Sequence, residues 1–90
     1  MWHAVSPVAS DYDPIVYEGK LIASVSVMNS GPGSMQVWAW TEDISQRDDP
    51  EMTLELRPGN TRIASARLLR AHLISGDFCA IAWRVVSHGW

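Results

Sequence analysis

Apolar and polar residues alternate with a two-residue period along most of this chain. In residues 21–28, Leu21, Ala23, Val25 and Val27 fall on one face and Ser24 and Ser26 on the other, with Ile22 and Met28 interrupting. Successive side chains of a strand point to opposite sides, so the first set is the predicted core face. In residues 34–41, Met35, Val37 and Ala39 oppose Gln36, Trp38 and Trp40, which puts apolar groups on both faces. Between the runs stands Asn29-Ser30-Gly31-Pro32-Gly33. Glycine admits positive φ and proline fixes its own, so the chain is predicted to reverse there and its flanks to pair as a hairpin.

The remaining segments read in the same terms. Residues 2–9 are largely apolar with Pro7 among them, which suits an edge strand or an extended arm and argues against a central strand. Asp11 and Asp13 lie in a loop where their carboxylates can turn back onto backbone amides, before a short Ile15-Val16-Tyr17 strand and a turn at Glu18-Gly19. Met52, Leu54 and Leu56 alternate with Glu51, Thr53, Glu55 and Arg57, and Pro58-Gly59-Asn60 ends that run. Residues 61–74 admit two readings. As a helix, Asn60 or Thr61 caps it, Arg62, Ala66, Leu69 and Leu73 form the stripe and Gly76 closes it. As strands, residues 63–68 and 69–74 flank a break, and the spacing of turn signals favours this reading. In residues 78–87, Cys79, Ile81, Trp83 and Val85 share the face of a central strand. The sum is an all-β domain: about seven strands in a small antiparallel two-sheet immunoglobulin-like sandwich.

Residues 25–40, with their Asn-x-Gly turn, resemble the hairpin of immunoglobulin-like modules in bacterial adhesion proteins, the CARDB-like type. Leu56-Arg57-Pro58-Gly59 is similar to the Leu-x-Pro-Gly turn of those modules, and Gly76-Asp77-Phe78 followed by Trp83-Arg84-Val85-Val86-Ser87 resembles their penultimate strand. The resemblance covers about two thirds of the chain and implies a fold without a specific function. The Trp-Arg-Val-Val-Ser run followed by His88 also resembles CopC-like copper carriers, but the Asp-Gly-His that usually follows there is missing here.

Length, charge and cysteine content narrow the picture. Ninety residues make a single domain, 1–90, with residues 1–9 as its N-terminal arm. A net charge of −3 with seven Lys and Arg gives no basic footprint for nucleic acid. Four of the seven, Arg57, Arg62, Arg67 and Arg70, lie near Glu51 and Glu55 and read as a solvated mixed-charge face. No apolar run is long enough for membrane insertion, and no signal peptide is visible, so the expected setting is cytoplasmic or within an assembled particle. One cysteine cannot form an internal disulfide, which makes a partner surface a natural way to complete so small a β core.

Candidate chemistry is sparse. His3, His72 and His88 are the available imidazole bases and none has a recognisable partner; Cys79 sits among apolar neighbours and reads as a core residue. The acidic Asp48, Asp49 and Glu51 read as solvent-facing. Met1-Trp2-His3 could surround Cu(II) with an amine, two amide nitrogens and an imidazole, with His88 as a further ligand. Trp83 belongs to the core face. Trp38 and Trp40 lie about 7 Å apart along one face, where they either stack a carbohydrate, anchor a protein, or turn inward to the core.

The expectation is therefore a non-enzymatic structural or interaction module needing no cofactor and no metal. It is expected to assemble with itself as a homo-oligomer, or with a larger complex such as a capsid, fibre or secretion assembly, using edge strands and the aromatic residues Trp2, Trp38, Trp40 and Trp90. The alternative is a ligand-binding module, for carbohydrate through Trp38 and Trp40 or for Cu(II) through His3 and His88.

Overall fold

The computed structural model describes residues 1–42 and 49–88. Every regular element among them is a strand: β1 (His3–Ala9), β2 (Ile15–Trp40), β3 (Met52–Leu56) and β4 (Thr61–His88). All pairings are antiparallel, in the order β1-β4-β2-β3. Residues 61–74 are thus strand. The helix reading fails because burial follows a period of two, with Ala64 and Ala66 buried, Ser65 exposed between them and Arg62 outside the core.

β2 and β4, at 26 and 28 residues, are several times longer than ordinary strands, and their pairing shows how such lengths are accommodated. Residues 23–28 of β2 have β4 on both sides: Val25 is opposite Ala64 on one edge and Val85 on the other, and Met28 is opposite Thr61 and Ala82. Residues 68–70 of β4 have β2 on both sides in turn, Leu69 lying opposite Tyr17 and Ala39. A strand has only two edges, so each of these long strands must bend to flank the other twice. β4 changes partners at residue 67, close to the break expected between residues 68 and 69.

The expected hairpin at residues 29–33 does not form. β2 runs through the motif, and the flanking runs pair with β4 instead of with each other: Val27 is opposite Trp83, and Met35 is opposite Leu73. The motif bends the strand without reversing it. Gly31 takes a φ of +81°, and a Cβ on Gly33 would stand 2.5 Å from the carbonyl oxygen of Ser75 and 2.8 Å from that of Phe78, so β4 fills the space a returning strand would need. Asn29, fully buried, satisfies the polar groups of the bend. Its Oδ1 accepts from the Gly31 amide at 2.7 Å, and its Nδ2 donates to the carbonyls of Gly33 and Leu56, each at 2.9 Å. The Gly59 amide donates to the Asn29 carbonyl at 2.7 Å and the Asn29 amide to the Asn60 carbonyl at 3.0 Å, so the turn after β3 is bound to the β2 bend. The sites expected to reverse the chain at Glu18-Gly19 and at residues 75–77 are likewise interior to β2 and β4.

The core gathers the alternate residues the pattern marks: Ala23, Val25 and Val27, then Met35, Val37 and Ala39, with Leu54, Leu56, Leu69, Leu73, Cys79 and Ile81. Leu21 departs from expectation at 65% exposure. Residues 19–22 fall between two stretches of ladder, so Leu21 lies outside the paired part of β2. Ser26, expected on the solvent face, is buried because it sits mid-sheet between Ile63 and Arg84. The Cys79 thiol lies against Met35, Sγ to Sδ 3.4 Å, and burial pushes its pKa up from 9.0.

Candidate interaction surface

Trp38 and Trp40 share a face, as their spacing demands, but they do not form an open platform. Trp40 is 1% exposed and packs with Leu68 and Trp38 as a small cluster separate from the main core. Its burial comes from the far end of the connection to β3. The indole Nε1 donates to the Asp49 carbonyl at 2.7 Å, the Glu51 amide donates to Ala39, and the Glu51 carboxylate accepts from both the amide and hydroxyl of Thr41. Trp40 is therefore a packing residue, which corrects its expected part in an exposed aromatic pair. Glu51, expected to be merely solvent-facing, fastens this connection.

Trp38 is half-buried, and the His72 ring stacks on it at 5.0 Å between centroids and 15° between planes. His72 covers one face of the Trp38 indole, and the Trp40–Leu68 cluster packs against the same residue. Its Nε1 donates to Gln36 Oε1 at 3.3 Å.

His72 does have a partner. Its Nδ1 lies 3.0 Å from Asp13 Oδ1, bringing together residues 59 positions apart. The Asp13 carboxylate thus serves β4 and is not turned back onto its own loop. Arg70 Nη2 donates to the Asp13 carbonyl at 3.2 Å, and the Ala71 amide to the Pro14 carbonyl at 3.1 Å, so the β1–β2 loop is pinned to β4 at three successive residues. The sequence signal for this pair is slight: a histidine at an outward position between Ala71 and Leu73.

The other aromatic group surrounds β1, which takes the expected edge position. The His3 ring stacks on Trp83 at 4.5 Å, Tyr17 meets Trp83 edge-on at 5.1 Å, and the Arg84 guanidinium lies 5.0 Å from the Trp2 ring centroid. Trp83, expected in the core, packs against it while staying partly exposed, as do Val5, Tyr17 and Val85. The His3 imidazole is stacked on Trp83, so a Cu(II) ion bound there would lie beside that indole. His88 is placed as backbone opposite Ala23. Asp48 and Trp90 lie outside the described residues.

Among the described residues no three or more His, Cys, Asp or Glu side chains converge as a metal site would need. None of these residues is helical, so no helix is long and apolar enough to cross a membrane. Comparison with protein-family models, with curated proteins and with solved structures finds no match to this chain.

Proposed function

We propose that this chain is a non-enzymatic interaction module built as a small immunoglobulin-like sandwich. The reading of two layers draws support from the double embrace of β2 and β4 and from a molecule only 18 Å across its thinnest dimension, close to two sheets about 10 Å apart with their side chains. The bonds from Asn29 to the turn at residues 56–59 support the likeness to adhesion-type modules, because they join the two motifs on which that likeness rests. A sandwich of this kind leaves edges, and edges are where such modules associate.

The observation that carries the functional reading is the neighbourhood of β1. An edge strand with no charged residue from His3 to Ala9 runs beside Trp2, Trp83, Val5 and Val85, all left partly exposed. These are the ingredients of an apolar, backbone-mediated contact, with Trp2 as the anchoring side chain. Static light scattering over a micromolar concentration series tests it: a mass rising above that of one chain is expected, and a constant monomer mass counts against self-assembly. Titration with Cu(II) followed by Trp fluorescence tests the competing reading through His3, since a Cu(II) ion bound at His3 would quench the emission of the Trp83 stacked on it.

A further inference from the structure

We infer that β1 pairs with β1 of a second copy of this chain, antiparallel across a two-fold axis at Ala4; the inference rests on the interaction reading above and names its partner. Charge disfavours several of the edges. In an antiparallel self-pair each charged residue of a short strand lies close to its own copy, and like charges across a ladder destabilise it. β3 carries Glu55 between Glu51 and Arg57, residues 61–66 carry Arg62, and residues 15–20 carry Glu18 and Lys20. β1 carries none of these, so it is an edge that meets its copy without repulsion, and Trp2 beside it supplies an anchor.

Proline and the bulge then set the register. Pro7 has no amide hydrogen to donate, and the pairing of β1 with β4 is already irregular between Val5 and Val8. A ladder that avoids both spans residues 3–5, with Ala4 opposite its own copy and Val5 opposite His3. The arrangement is isologous and closes as a dimer, leaving no edge free for growth on that side. It also answers the exposure at this end of the molecule. Ala4, exposed and opposite Ala82, is small enough for two backbones to approach, while each copy's Val5 would arrive beside the His3 ring that stacks on Trp83.

Ala4 is the residue to change, since its side chain is exposed and its replacement leaves the core untouched. Sedimentation equilibrium on the full chain should give a dimer whose dissociation constant rises at least about fivefold in Ala4→Lys and stays unchanged in the control Ser30→Lys. Circular dichroism of each variant checks that the sheet is intact. Under mild oxidation Ala4→Cys should form a disulfide-linked dimer faster than Ser30→Cys, because residues opposed across an antiparallel ladder lie within disulfide reach. A dimer that ignores Ala4→Lys, with Ala4→Cys no faster than Ser30→Cys, overturns β1 pairing while the interaction reading survives on another surface. A monomer throughout the concentration range overturns the second copy as partner and counts against self-assembly with it.

Discussion

Gly76 of β4 and Gly33 of β2 meet backbone to backbone: a Cβ added to Gly76 would stand 2.9 Å from the Cα of Gly33. The two bends nest, and neither strand could carry a side chain at that level. Gly76 also has a φ of +90°, which a residue with a Cβ adopts at a cost of about 1–2 kcal/mol. Gly59, at a φ of +89°, has nothing within 4 Å of the corresponding position and isolates the dihedral cost alone. Gly76→Ala should destabilise the fold by about 2 kcal/mol more than Gly59→Ala, read as a shift in urea midpoint. Equal costs for these two would show that the bends can move apart.

Asn29→Ala should be among the most damaging polar substitutions in the chain. It strands the carbonyls of Gly33 and Leu56 and the amide of Gly31 in a buried site, a loss of about 3–5 kcal/mol. Asn29→Asp keeps the acceptor for Gly31 but loses both donors and buries a carboxylate. It should be no milder than alanine at neutral pH.

How far these features could be read from the residues depends on how local they are. Val25, Val27, Met35, Val37, Cys79 and Ile81 are buried as two-residue alternation requires, since that pattern follows from strand geometry alone. The same pattern cannot say which strand lies next to which. Asn29 and the glycines at 31 and 33 mark a change of direction in the sequence, yet whether the chain reverses or bends is decided by β4, more than forty positions away. Likewise nothing near His72 points to Asp13, and nothing near Trp40 announces that Asp49 and Glu51 return to cover it.

The two tryptophans of that face should separate on mutation. Trp40→Ala removes a fully buried indole and a 2.7 Å hydrogen bond and should cost about 3–5 kcal/mol. Trp38→Ala, at a half-buried position, should cost about half as much. Denaturant titration of each variant measures the gap. Trp38→Ala costing as much as Trp40→Ala would place both residues equally in the packing.

Cys79 gives the fold an alkaline limit. Burial raises its pKa in the folded state above 9.0, so the folded chain holds the thiol proton more tightly than the unfolded chain does. Stability from this residue is fully present below pH 9.0 and falls as pH rises from there through the folded-state value. Urea midpoints from neutral to alkaline pH should decline less steeply in Cys79→Ala than in the natural chain, whatever the offset from the lost contact with Met35. An unchanged slope would assign the alkaline decline to other groups.

The central ladder has a consequence for how the molecule comes into being. Val25 finds one neighbour at position 64 and the other at 85, so an N-terminal fragment, however well patterned, offers its middle segment nothing to lie against. A ribosome would have to release the chain through position 85 before residues 23–28 could settle, and until then those valines would stay in water.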